Sequence, residues 1–317
     1  MTRILVTGGA GFIGSHTTEA LLARGDEVIC LDNFNDYYDP ARKRANVAAF
    51  EGHPRYRLYE GDIRDAETLE AILSGERPDK VIHIAAMAGV RYSIQRPELY
   101  ESVNVRGLIN TLDVARRYGV TNFLFASSSS VYGSDSPVPF REDATCDRPV
   151  SPYAATKRAG ELLWYTYHHL YSLPCICLRF FTVYGPRGRP DMAPYLFTHW
   201  VFDGQPLKMF GDGTTYRDYT YINDIVVGVV AALDADLPFE IINLGNSQTV
   251  MLRDFIEIVE ELVGRQANVV QLPPQPGDVP RTYADVSKAR RLLGYEPKTP
   301  FAEGMARFVD WYRREML

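Results

Sequence analysis

Tyr153 stands four residues before Lys157 in the stretch SPYAATKRAG, Ser151 to Gly160. On a helix that spacing puts both side chains on one face, so an ammonium at 157 can sit near the phenol at 153. A tyrosine ordinarily ionises at about pH 10, and a neighbouring cation favours the phenolate and brings it toward neutrality. The pair is therefore a candidate general base for a hydroxyl group. Taken alone, Tyr-x-x-x-Lys is more commonly an exposed aromatic beside a surface charge, so the surrounding elements have to decide.

A second candidate site lies at the N-terminus. In ILVTGGAGFIGSH a strand runs into Gly8, Gly11 and Gly14, with Phe12 and Ile13 between the last two, and then into a helix. Glycines here permit a tight turn, let backbone N–H groups approach a pyrophosphate, and let helix and strand pack closely at the positive helix end. Glycine spacing by itself says little. It gains weight from its place at the first strand and from Asp32, 18 residues after Gly14 at the end of the second strand. A carboxylate there accepts from a ribose 2′-hydroxyl and repels a 2′-phosphate, which favours NAD over NADP. Asn33 adjoins it, and Arg42, Lys43 and Arg44 are expected on a solvated helix face. Asp62 and Ile63 follow the third strand, where Asp62 can meet an adenine amino group. Ala85 and Ala86 are small residues where the fourth strand passes under a cofactor.

These sites sit in an ordinary globular chain of 317 residues, 46% hydrophobic and 23% charged. A net charge of −6 argues against a nucleic-acid or anionic-membrane surface, which needs a basic face. An anionic ligand must therefore meet local positive charge. MTR runs directly into ILVTGG without the pattern of a signal peptide, so a cytoplasmic protein is expected. The apolar run Ile225 to Leu233 is about half of the roughly 20 residues that span a bilayer. Cys30, Cys146, Cys175 and Cys177 read as buried or inert thiols rather than a disulfide framework. The histidines have no spacing that builds a zinc site, and no metal is expected.

Strand-length apolar runs alternate with helical segments through the first half: RILVTG, a helix from Gly14 to about Arg24, EVICLD, a helix after Pro40, YRLYEGD, a helix from Ala66, and KVIHIAA. A long helix from about Leu99 to Tyr118 leads into FLFASSS, and another from Tyr153 to Tyr171 leads into CICLRFF. The pattern predicts a doubly wound α/β domain with a parallel Rossmann sheet. At YGPRGRPDMAP three prolines and two glycines stop regular structure. A smaller, interleaved α/β substrate domain is expected from there. The division is residues 1–183, with 221–250 returning to them, against 184–220 and 251–317.

TGGAGFIG, SSSSVYG upstream of YAATK, and RDYTYINDI together resemble the extended short-chain dehydrogenases that act on nucleotide sugars, over essentially the whole chain. The resemblance implies that Ser128 hydrogen-bonds the reacting oxygen beside Tyr153 and Lys157, and that Lys157 also binds the nicotinamide ribose. Dehydratases of this group carry Asp-Glu before Val-Tyr-Gly, and decarboxylases keep the glutamate. Ser129 and Ser130 stand here instead, which leaves a 4-epimerase. DNFNDYYDPARKRAN, AGVRYSI and FFTVYGPRGRPDM look like UDP-glucuronate 4-epimerases. The resemblance places Ser129, Ser130, Thr182 and Arg189 around the sugar, and Arg217, Asp278 and Arg281 in nucleotide-binding segments. It also implies a homodimer through a four-helix interface. Two alternatives stay open. One is a UDP-glucose/UDP-galactose 4-epimerase. The other is an NAD-binding regulatory protein without turnover, against which Ser128, Tyr153 and Lys157 count, since binding needs no base.

Overall fold

The computed structural model describes residues 1–275 and 277–317. Strands and helices alternate as β1 (Arg3–Thr7), α1 (Phe12–Arg24), β2 (Glu27–Asp32), α2 (Pro40–Ala48), β3 (Tyr56–Glu60), α3 (Ala66–Glu76) and β4 (Lys80–His83). Then come α4 (Val90–Gln95), α5 (Pro97–Glu101), α6 (Gly107–Arg117), β5 (Asn122–Ser128), α7 (Pro152–Tyr171) and β6 (Cys175–Phe180). The remainder is β7 (Thr182–Tyr184), α8 (Ala193–Asp203), β8 (Pro206–Phe210), β9 (Tyr216–Arg217), β10 (Tyr219–Tyr221), α9 (Ile222–Asp234), β11 (Phe239–Leu244), β12 (Val250–Met251), α10 (Leu252–Val263), β13 (Asn268–Leu272), α11 (Ser287–Leu293) and α12 (Phe301–Met316).

Seven parallel strands form the main sheet in the order β3-β2-β1-β4-β5-β6-β11. Side chains alternate across each strand. Ile4, Val6, Ile82, Leu124 and Ile176 therefore pack on one face with Leu21 of α1 and Val229 of α9. Leu5, Val81, Phe123, Phe125 and Cys177 pack on the other with Leu73 of α3, Leu112 of α6 and Trp164 of α7. Burial on both faces explains why β5 and β6 are buried along their whole length and carry the apolar runs FLFA and CICL. The fold is a doubly wound Rossmann-like α/β sheet. Strand order reverses between β1 and β4, and a cleft opens at their C-terminal ends.

A third apolar cluster lies outside the sheet. Tyr184, Tyr195, Phe197, Phe255, Phe301 and Phe308 hold α8, α10 and α12 together over the two-stranded pairs β10-β7, β12-β9 and β13-β8.

The expected single helix from Leu99 to Tyr118 differs in one respect: a π-helical turn, Ser102–Arg106, joins α5 to α6. The wider turn shifts the phase of the following side chains. Buried within it, Asn104 accepts from Met87 N (2.8 Å) and donates to Met87 O and Thr156 Oγ1 (both 3.0 Å). It thereby ties the segment after β4 to the face of α7.

Candidate active site

The glycine turn closes on itself. Gly8 has φ +71°, and a Cβ there would lie 2.7 Å from Ala85 N at the end of β4. A Cβ at Gly14 would lie 2.2 Å from Gly8 O and 2.7 Å from Gly9 Cα, so Gly14 is a packing position and does not face the cleft. Gly11 caps α1 without a side-chain hydrogen bond, which leaves the first N–H groups of that helix at the cleft. Phe12, Ile13, Ile63, Ala85 and Ala86 line the same wall.

Asp32 ends β2 and accepts from Phe34 N (2.9 Å) and Ala10 N (3.1 Å). Burial pushes its carboxyl up, while the charge of Lys43 and these N–H groups pull it down. Lys43 departs from the solvated face expected for it. It is buried, donates to Asn35 O (3.1 Å) and Oδ1 (3.0 Å), and lines the cleft, because α2 turns this position toward the β2 loop. Arg44 instead pairs with Glu60 and Arg42 reaches Tyr195. Asn33 donates to Asp62 (2.8 Å). Burial raises the Asp62 carboxyl, but hydrogen bonds from Arg64 and Asn33 outweigh it and hold it at about 2. Asp62 itself lies beside the cleft rather than in its wall.

Ser128 ends β5, where its Oγ accepts from Ser130 N (3.2 Å) and donates to Ser130 Oγ (3.1 Å). Ser151 caps α7 through Ala154 N (3.1 Å), with Pro152 in the first turn, and this fixes where Tyr153 enters the cleft. Its ring meets Tyr100 edge-on at 6.1 Å. Lys157 does not act on the phenol as its spacing suggests: its Nζ donates to Ala126 O (2.7 Å) and lies over the Phe125 ring. The strand carbonyl captures the ammonium because α7 packs directly on β5. Burial pushes the Tyr153 phenol up, opposed by its hydrogen bond with Ser128 and by the charge of Arg189. Burial also pushes the Lys157 ammonium down to about 7.

Arg189 lines the cleft near Tyr153, held by Asp191 through Nε (3.0 Å) and Nη2 (2.5 Å). Tyr37 donates to the same carboxylate (2.9 Å) and lies under the guanidinium. Thr182 opens β7, and with Ser129, Ser130, Arg217 and Asp278 it completes a cleft of about 420 Å³. Arg281 stays outside it, between the rings of Tyr216 and Tyr283. Asp278 faces Arg91 at 3.5 Å. No group of three or more His, Cys, Asp or Glu among the described residues is placed to hold a metal.

Sequence reasoning passed over Tyr37, Asn104, Glu161, Arg179, Asp191 and Asp218, and set Lys43 in solvent. A signal existed for Glu161, which continues the 153–157 spacing by one turn. It existed for Asp191 too, two residues after Arg189. Asp218 carries none: its buried carboxylate accepts from Asn246 N, Ser247 N and Ala284 N (2.7–3.0 Å), and those partners lie far along the chain.

A family model described as GDP-mannose 4,6 dehydratase matches residues 5–308. The chain belongs to that family. Its motifs had pointed to the extended short-chain dehydrogenases on the same residues. It is 44% identical to the UDP-glucuronate 4-epimerase of Thermodesulfobacterium geofontis, over 100% of this chain and 98% of that one. The structure is similar to that of the UDP-glucuronic acid 4-epimerase of Bacillus cereus in complex with UDP-glucuronic acid and NAD. The TM-score is 0.93 at 37% identity, covering 98% of this chain and 99% of the other. It is also similar to the UDP-glucose 4-epimerase of Thermotoga maritima with UDP-glucose, with TM-score 0.92, 33% identity, and 99% and 100% of the chains covered.

Proposed function

We propose that this protein is an NAD-dependent UDP-sugar 4-epimerase that interconverts UDP-glucuronate and UDP-galacturonate. One observation carries the reading: Ser128, Tyr153, Lys157 and Arg189 converge on the cleft that the Gly8 turn and Asp32 open. The residues present fit the cofactor, since a Cβ at Gly8 or Gly14 would fill the turn and Asp32 ends β2 as a buried acceptor. NAD when bound supplies the redox step, removing hydride from C4 to leave a 4-keto sugar and restoring it on the other face. Tyr153 takes the C4 hydroxyl proton and returns it, with Ser128 bonded to the same oxygen. Lys157 holds the nicotinamide ribose, its ammonium anchored on Ala126 O. Ser129, Ser130, Thr182 and Arg189 surround the sugar carboxylate, and a charged partner there contributes more than a neutral one. Arg217 meets the diphosphate, with Asp278 and Arg281 at the nucleotide end.

The neutral-sugar reading retains one specific support. Asp191 already balances the Arg189 charge, and the two side chains are 36% and 20% exposed, so an incoming carboxylate shares its cation with a neighbour. A UDP-sugar panel decides. Faster turnover of the glucuronate pair is expected, and faster interconversion of UDP-glucose and UDP-galactose overturns the uronate assignment. Mass spectrometry of ligand released on denaturation should find NAD(H), and NADP(H) would show the reading of Asp32 to be wrong.

Residues 1–183 with 221–250 make up the cofactor domain in this reading, and 184–220 with 251–317 the nucleotide-sugar domain. A homodimer is supported by Leu162, Tyr165 and Leu170, which are large, apolar and exposed on the outer face of α7. Solution scattering should return twice the chain mass, and a concentration-independent monomer overturns it. A cytoplasmic site is supported by four unpaired thiols. No helix among the described residues is long and apolar enough to cross a membrane.

A further inference from the structure

Glu161 is 1% exposed, lies one turn beyond Lys157 on α7, and accepts four hydrogen bonds from three elements. Ser127 Oγ of β5 donates at 2.7 Å. Arg179 of β6 donates through Nε and Nη2, both at 2.8 Å, and Arg158 of α7 through Nη1 at 2.9 Å. Arg179 is itself 1% exposed and lies over the Tyr132 ring. Ser127 immediately precedes Ser128, and β6 leads to Thr182. A buried ion pair is weak evidence for stability, because two desolvated charges rarely outdo well-packed apolar groups. What this one supplies is direction: bidentate geometry allows one strand register and one helix rotation.

We propose that Glu161 is a positioning residue for the reaction, holding the strand end that carries Ser128 in register with the helix face that carries Tyr153 and Lys157. The inference rests on the catalytic reading of Tyr153 given above. It has an electrostatic side as well. The groups facing Lys157 are Ala126 O and the Phe125 ring from β5, His83 from β4, and Glu161 from α7. Glu161 is the carboxylate of that set, and its own neighbours are Ser127, Arg158, Arg179 and the Cys146 thiol. Burial lowers the proton affinity of Lys157 and Glu161 opposes it. Without the carboxylate the lysine loses its charge at lower pH, so the alkaline limb of kcat moves down in pH.

The test uses the NAD-loaded enzyme and four variants: Ser127→Ala, Glu161→Asp, Tyr153→Phe, and the double variant E161L/R179M, which removes both buried charges together. The double variant should keep its NAD and hold KM within about threefold. Its kcat should fall at least about tenfold, with the alkaline limb displaced downward by about half a pH unit or more. Ser127→Ala, which loses one hydrogen bond, should lower kcat about threefold, and Glu161→Asp should keep the wild-type limb. Wild-type kcat and wild-type limb in the double variant overturn the proposal. If that variant does not fold, wild-type kcat in Ser127→Ala overturns it. If Tyr153→Phe itself turns over normally, the catalytic reading fails. A dead Tyr153→Phe beside unaffected Glu161 and Ser127 variants removes only the present inference.

Discussion

On the β1-β2 side of the cleft, Gly8, Gly11, Asp32 and Asn33 come from one strand-helix-strand unit, and their neighbours are mostly backbone: Ala85 N, Gly8 O, Ala10 N and Phe34 N. On the other side, Thr182, Arg189, Arg217 and Asp278 come from four separate segments, and two of them meet charged side chains, Arg189 with Asp191 and Asp278 with Arg91. The first side is a rigid mould in which a missing Cβ is the functional feature. The second is an assembly of long side chains that can rearrange. A substitution should therefore cost most where backbone meets backbone and least where two solvated chains meet.

The largest expected effect is that of Gly14→Val. Its Cβ would stand 2.2 Å from Gly8 O, an atom fixed by the turn, so the turn must open or the helix must move away. NAD(H) recovered after denaturation should fall below about a tenth of the wild-type content, with a lower Tm. A stable variant with full NAD content would break the comparison at its stronger end.

The same contrast governs what was legible in the sequence. Gly8 and Gly11, Asp32 and Tyr153 are encoded by short spacings that strand and helix geometry translate directly, and all four line the cleft. The parallel sheet was equally readable, since β5 and β6 are buried on both faces and carry the apolar runs FLFA and CICL. Lys43, Glu161 and Asp218 were not. A buried charge looks like a surface charge until its partners are known, and those partners are Asn35, Arg179 with Ser127, and the Asn246 and Ala284 amides. Lys157 was half legible: its place on the helix follows from spacing, whereas its bond to Ala126 O depends on how closely α7 packs on β5.

Next in size is Tyr153→Phe, at the boundary between the two sides. The phenol contributes a proton rather than a wall, so NAD content should stay while turnover falls at least about a hundredfold, the scale of a general base. Near-normal turnover would remove Tyr153 from its role. Arg189→Ala follows. It should lower kcat/KM for UDP-glucuronate about tenfold and reduce the preference over UDP-glucose, because only the uronate offers it a carboxylate. An unchanged ratio of the two sugars would show that Asp191 fully occupies the guanidinium.

The smallest effect is expected at Arg281, and Arg217 provides its reference. Arg217 lies in β9, paired with β12 at Val250, and its Nη1 donates to Tyr216 O (2.9 Å), so its head is oriented at the cleft wall. Arg281 is exposed, stands over two tyrosine rings at 5.3 and 5.4 Å, and touches Thr249 at 3.4 Å. A cation on aromatic faces in solvent is held weakly and is screened by salt. Arg217→Ala should raise KM for the UDP-sugar about tenfold, whereas Arg281→Ala should raise it no more than about threefold, and the smaller increase should disappear at high salt. Both variants should keep their NAD, since neither touches the glycine turn. If Arg281→Ala matches Arg217→Ala in size and resists salt, then Arg281 swings into the cleft when the nucleotide binds. The sugar side would then be a site completed by induced fit rather than a set of side chains already in place.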